Sequence, residues 1–286
     1  MAKITIATCQ FLVHKQPELN LRSIIRQMKQ AKAAGAHLAH FSECCLSGYL
    51  GGEIKSLREV DWNNLKSCME QVMSWSGKLK IWAVVGCNHQ LVGRHKPHNS
   101  LYVVNDNGEL VTRYDKMFCT GNNIRSDDLK FYSPGEKFIT FCVKGVTCGL
   151  LICHDFRYPE LFREYKRQGV ELMLVSFHNA GMTCKLYNHY IISVPATLQA
   201  AAASNYFFVS ASNSTRRYAW PGFVVNPEGR IIQKARAHRP AVIITKIDTK
   251  EKLYDASSHW RNRCMHGIFH SGKLVKDPRS QDRTIL

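Results

Sequence analysis

Apolar positions along the chain follow two rhythms, and the switching between them predicts an α/β fold. Ile4 to Gln10 alternates in the manner of a strand. From Pro17 to Ala34, Leu19, Leu21, Ile24, Ile25, Met28 and Ala31 make a roughly helical stripe that Gly35 stops. Leu38 to Phe41 is a short apolar run suited to a strand buried on both faces, and it ends at Ser42-Glu43. Trp62 to Lys78 reads as a second helix and Ile81 to Gly86 as another buried strand. Asn99 to Asn105 and Leu110 to Tyr114 flank the turn Asp106-Asn107-Gly108. Phe138 to Val143 and Thr147 to Ile152 form a second pair around Lys144-Gly145.

The second half continues with a helix from Pro159 to Gln168 and a strand from Glu171 to Ser176. A helix from Tyr190 to Ser204 follows, with an irregular start near Pro195, and then a strand from Tyr206 to Ala211. Gly222 to Val225 and Arg230 to Ala235 flank Asn226-Pro227-Glu228-Gly229 as a third hairpin, and Ala241 to Ile247 closes the sheet. A purely parallel doubly wound fold would have few hairpins. The pattern predicts mixed sheets covered by helices in one domain, with no linker and no repeat of fixed short period.

One stretch invites a membrane reading. Between Lys185 and Arg216 there is no Lys, Arg, Asp or Glu. It nevertheless carries Asn188, His189, Ser193, Pro195, Gln199, Ser204 and Asn205, too polar for a span and suited to a buried helix and strand. The N-terminal Met-Ala-Lys-Ile-Thr-Ile lacks the apolar core of a signal peptide. The 286 residues, 45% of them hydrophobic, supply ample material for a buried core.

Charge and cysteine content change the picture in two ways. The formal net charge of +17 raises nucleic acid, acidic lipid or an anionic substrate as partners. The basic residues are dispersed, however: the densest stretches are Arg230 to Arg239 and Lys273 to Arg283, without a long uninterrupted block, so solvated surface is the simpler account. Eleven cysteines are present, an odd number at irregular spacing, with Cys44 and Cys45 adjacent. Cys264, His266 and His270 lack a second ligand pair at zinc-site spacing. Reduced thiols in a cytoplasmic protein, with no metal or other cofactor, are expected.

Three residues stand where an α/β protein exposes reactive groups. Cys153 follows a buried apolar strand and precedes a polar turn and a helix opened near Pro159, whose electropositive end would favour a thiolate. Glu43 follows another apolar strand, where a carboxylate is costly unless hydrogen-bonded or used. Lys116 follows the strand Leu110 to Tyr114. Each alone reads as an ordinary cysteine, glutamate or lysine. Together they supply a nucleophile, a proton acceptor and a cation for a tetrahedral oxyanion.

These segments, Phe-Ser-Glu43-Cys-Cys-Leu-Ser-Gly-Tyr, Tyr-Asp-Lys116-Met-Phe and Ile-Cys153-His-Asp-Phe-Arg-Tyr-Pro-Glu, resemble the three signature stretches of the nitrilase superfamily of carbon–nitrogen hydrolases, in that family's order. Asn99-Ser100, Pro134-Gly135, Asn205, Asn213 and Asn226-Pro-Glu-Gly-Arg add further matches, so the resemblance spans about residues 1 to 250. It implies a four-layer αββα sandwich of two mixed sheets over residues 1–250. Residues 251–286 would be a C-terminal extension packed on the domain or on a partner subunit in a homodimer or larger oligomer. It further implies a metal-free hydrolase with Glu43, Lys116 and Cys153 catalytic and a thioester acyl-enzyme that releases ammonia or an amine.

The sequence departs from the family pattern in places. Asp128 stands where a second glutamate usually supports the lysine, His154 where an aromatic usually follows the cysteine, and Ala201 and Ser204 where an Arg and a Glu are common. Substrate contacts are expected from Tyr49, Phe118, His154, Arg157 and Asn179, with Arg216 and Arg217 as further anion candidates. The segment after Cys153 is similar to amidases, ω-amidases among them, which implies a small amide or N-carbamoyl substrate. A nitrile hydrolase, or an inactive nucleic-acid-associated protein keeping the fold, are the alternatives.

Overall fold

The computed structural model describes residues 2–121, 128–179 and 183–284. In chain order the elements are β1 Lys3–Gln10, α1 Pro17–Ala33, β2 Leu38–His40, α2 Trp62–Leu79, β3 Trp82–His89, β4 His98–Val104 and β5 Leu110–Asp115. There follow β6 Thr140–Val143, β7 Val146–Ile152, α3 Pro159–Arg167, β8 Leu172–Ser176, α4 Cys184–Asn205 and β9 Phe208–Ser212. The last are β10 Phe223–Val225, β11 Ile231–Lys234, β12 Ala241–Asp248 and two short helices, α5 Arg261–Met265 and α6 Pro278–Gln281.

The strands make two six-stranded sheets, ordered β12-β1-β2-β3-β4-β5 and β11-β10-β9-β8-β7-β6. In the first, β1, β2 and β3 run parallel, and β12, β4 and β5 join antiparallel. In the second, β7, β8 and β9 run parallel, with β6, β10 and β11 antiparallel. Read from β6, the second sheet therefore repeats the first, with α3 and α4 placed between its strands as α1 and α2 are in the other. The chain is a long-period structural duplication that its residues do not advertise as a repeat.

Alternation within the strands explains the layering. Ile4, Ile6 and Leu38 point into the core shared with Leu150, Leu174 and Val209 of the second sheet. Ala7, Cys9 and Ala39 point the other way, onto Leu21, Ile24 and Met28 of α1 and Leu65, Met69 and Val72 of α2. Sheet thus packs on sheet, with helices outside, in the αββα arrangement that the family resemblance implies. A buried polar seam crosses between the sheets: His40 is bonded to Ser210 through Nδ1 and to Ser176 through Nε2, both at 2.9 Å, and Thr8 meets Ser210 at 2.7 Å. Burial drives the His40 imidazole down to about 3, so it stays neutral there.

One helix differs from its sequence reading. α4 begins at Cys184 rather than Tyr190, because the Thr183 side chain accepts from the Leu186 N–H and caps it. It runs through Pro195, and Tyr206, expected to open a strand, instead ends the helix in a left-handed conformation at φ 53°. The strand starts at Phe208.

Close backbone approach fixes the loop beyond β2. A methyl on Gly86 would lie 2.3 Å from the Ser42 oxygen and 2.4 Å from the Cys44 nitrogen, so only glycine lets β3 sit against the backbone of Glu43. Gly135 allows an equally close approach to Asp115, with a built methyl 2.4 Å from that residue's oxygen. Gly86→Ala is therefore expected to lower stability by about 1–3 kcal/mol. A urea unfolding midpoint equal to wild type would show that this contact is not tight.

Candidate functional site

Cys153 is the first residue past β7, with φ at 44°, a region costly for a residue with a side chain. It opens a single tight turn, Cys153–Arg157, which the Asp155 carboxylate closes by accepting from the Ile152 N–H at 3.0 Å. Helix α3 starts only at Pro159. The expectation of a thiolate stabilised by that helix end is accordingly corrected. Burial, and then the negative charge of Glu43, push the Cys153 thiol well above its usual value, with Lys116 pulling against them. That direction favours the protonated sulfur, with the Glu43 carboxylate close by.

Glu43 lies three residues beyond β2 and is buried. Its backbone N–H reaches Phe177 O at 3.2 Å, tying the loop to the opposite sheet. Its Oε1 accepts from Asn99 Nδ2 at 2.7 Å and from Lys116 Nζ at 3.1 Å. Lys116, the first residue past β5, is also fully buried. Its ammonium additionally reaches Asp128 Oδ2 at 2.9 Å and Thr120 Oγ1 at 3.3 Å. Burial alone would favour the neutral amine, but the Glu43 and Asp128 carboxylates hold Lys116 well above the usual lysine range. Burial likewise opposes ionisation of Asp128, yet Lys116 and a bond from the Tyr49 hydroxyl keep its carboxyl below the usual range. The shorter arm of Asp128 thus reaches the lysine, helped by the Thr120 N–H at 2.7 Å.

These groups meet at a cavity of about 360 Å³. Glu43, Asp128 and Cys153 lie at its wall, and Lys116 stands behind them. Of the expected contacts, Tyr49, His154, Arg157 and Asn179 line it. Burial, then the nearby charges of Lys116 and Arg157, push the His154 imidazole down, favouring its neutral form. Both polar atoms of the Asn179 amide are buried with no partner among the described residues, and its φ is 60°. Arg157 lies 4.9 Å from the Tyr190 ring and 5.1 Å from that of Phe156.

Phe118 is a correction. Its ring stacks on Tyr158 at 3.8 Å, outside the cavity, because its N–H is drawn to Asp155 at 2.8 Å. Arg216 and Arg217 do not line the cavity either. Arg216 pairs with Glu53, which also binds His178 Nε2 at 2.9 Å, and Arg217 lies over the Tyr218 ring. Sequence reasoning missed Thr120, Phe131, Tyr190 and Trp220, which also line the cavity. Thr120 could have been suspected, four residues past Lys116; the distant aromatics had no local signal.

A family model described as carbon-nitrogen hydrolase matches residues 5–252. The chain belongs to the carbon–nitrogen hydrolase family. Nitrilase homolog 2 of Dictyostelium discoideum is 25% identical to it over 258 residues, covering 85% of this chain and 74% of that one. Omega-amidase NIT2-B of Xenopus laevis is 26% identical over 265 residues, covering 87% and 90%. 2-Oxoglutaramate amidase of Bacillus subtilis strain 168 is 22% identical over 255 residues, covering 87% and 92%. Among solved structures, an amidase from Nesterenkonia sp. superposes with a TM-score of 0.76 at 21% identity, over 92% of this chain and 95% of that one. A mutant of that amidase carries the acetamide moiety of fluoroacetamide on its active-site cysteine, with a TM-score of 0.77 at 20% identity, over 92% and 96%.

Removing one carboxylate from the buried ammonium should be costly. Asp128→Ala is expected to destabilise the hydrolase by about 3–5 kcal/mol, because Lys116 then keeps a single counter-charge in a dry site. Chemical denaturation checks this, and a loss under about 1 kcal/mol would mean that water enters to replace the carboxylate.

Proposed function

We propose that the chain hydrolyses a small amide through a thioester on Cys153, with Glu43 as proton carrier and Lys116 as oxyanion partner. The observation that carries this reading is one buried carboxylate, Glu43, hydrogen-bonded to the Lys116 ammonium at 3.1 Å, with Cys153 on the wall of the same cavity. Lys116 and Asn99 both occupy Oε1 of Glu43, leaving Oε2 for the thiol proton. As the thiolate attacks the amide carbon, Glu43 becomes neutral and loosens its hold on Lys116. That ammonium N–H then turns to the new oxyanion, while Asp128 keeps the lysine charged. Glu43 passes the proton to the departing nitrogen, and ammonia or an amine leaves. A water then gives a proton to Glu43 and attacks the thioester, releasing the acid and restoring the thiol.

The cavity mouth favours an acyl chain ending in a carboxylate. Lys55, Lys130 and Arg157 line it, while the two carboxylates that line it among the described residues, Glu43 and Asp128, are already bound to Lys116. The relatives named omega-amidase and 2-oxoglutaramate amidase support an amide of that kind. The nitrile reading is not favoured beside them. N-carbamoyl compounds share the same carbonyl chemistry and belong in the test.

An ammonia-release assay across amides, N-carbamoyl compounds and nitriles decides the matter. Wild type should turn over carboxylate-bearing amides about tenfold faster in kcat/KM than neutral amides of equal length. Cys153→Ala should lose at least about 10³-fold, and intact mass should show the acyl group on Cys153. No turnover, accompanied by salt-sensitive RNA or DNA binding, would sink the proposal in favour of an inactive nucleic-acid-associated protein.

The same reading takes the working form to be a homodimer or larger assembly in the cytoplasm. Large apolar side chains support the first: Ile192 on α4 is 72% exposed, and Phe269 and Val275 in the tail beyond residue 250 are 81% and 75% exposed. All eleven cysteines are free, which supports a reducing compartment. Light scattering at micromolar concentration should give at least twice the chain mass; a monomer would refute the assembly. A disulfide in the native protein would count against the compartment.

A further inference from the structure

Asp155 is fully buried and lines no part of the cavity, yet it binds both chain segments on which the reaction depends. Its Oδ2 accepts from the Tyr114 hydroxyl at 2.8 Å and from the Ile152 N–H at 3.0 Å, and its Oδ1 accepts from the Phe118 N–H at 2.8 Å. Tyr114 and Phe118 stand two residues before and two after Lys116. Ile152 stands one before Cys153, and Asp155 itself two after it. The lysine comes from the end of β5 in one sheet and the cysteine from the end of β7 in the other.

We infer that Asp155 is a positioning residue that sets the spacing and aim of Lys116 relative to the Cys153 sulfur. The inference rests on the roles proposed above for those two residues.

Three donors converge on two oxygens, and only an ionised carboxylate satisfies all of them. Burial raises this carboxyl to about 6, against the pull of those bonds and of Lys116, so at neutral pH it is largely ionised and acceptor-only. Tyr114, Tyr165, Lys116 and Cys119 are the titratable groups around it. An asparagine would fill the same space but cannot make the same bonds. Its NH₂ must face either the Phe118 N–H or the Ile152 N–H, and that repulsion separates the two segments. Cys153 sits in a costly backbone conformation and keeps it only while its turn is held closed.

The test compares Asp155→Asn and Tyr114→Phe with wild type, in the whole chain, below the melting onset of each. Asp155→Asn should lower kcat by about 10- to 100-fold while KM moves less than about threefold, because misplacement by about 1 Å costs rate and leaves the acyl subsite intact. Tyr114→Phe keeps both backbone ties and should stay within about threefold of wild type in kcat. Alkylation by chloroacetamide supplies a readout that needs no turnover. In Asp155→Asn, Cys153 should react about tenfold more slowly, while exposed Cys142, Cys184 and Cys264 react as in wild type.

Unchanged Cys153 alkylation in Asp155→Asn would overturn the inference. So would equal losses in the two variants, which would mark Asp155 and Tyr114 as core packing only. A wild type that hydrolyses no amide would sink the proposed function instead, and the alkylation rates would still decide the part of Asp155.

Discussion

The site is organised around one buried ammonium, that of Lys116. A buried lysine is tolerated only with counter-charges at hydrogen-bond distance, and Lys116 has two, Glu43 at 3.1 Å and Asp128 at 2.9 Å. Each carboxylate is hydrogen-bonded to the same cation, which a buried charge needs. Their positions then fix much else. Asp128 carries Tyr49 into the cavity wall, and Glu43 brings Asn99 and the thiol of Cys153. Gly86 is needed because the Glu43 loop must lie directly on β3. Asp128 reaches the lysine directly, and the Thr120 N–H donates to the same carboxylate oxygen at 2.7 Å.

The fold was largely legible in the sequence because the strands of the parallel cores are short and mostly apolar. Leu38 to His40 and Leu150 to Ile152 show this, with Glu43 three residues beyond the first and Cys153 directly after the second. What escaped the reading was information that does not lie along the chain. Thr183 caps α4 from outside the apolar stretch, so the helix start was placed too late. Phe118 was expected among the substrate contacts, but the bond from its N–H to Asp155 goes with a ring stacked on Tyr158 instead. Tyr190 and Trp220 reach the cavity from segments with no local mark of function, since their role depends on where α4 and the loop before β10 pack.

The two-sheet duplication sets a boundary on where chemistry can occur. Glu43 stands three residues beyond β2, Lys116 one beyond β5 and Cys153 one beyond β7. By the repeated strand order, the corresponding places are Asn179 beyond β8, Ala235 beyond β11 and Phe11 beyond β1. The framework thus offers a mirror-position set with an amide, a methyl and a phenyl ring, none of which can attack, shuttle a proton or carry charge. One architectural plan is laid down twice, and of the two sets of places only one carries a thiol, a carboxylate and an ammonium. Asn179, from the other set, stands in the wall of the cavity beside them.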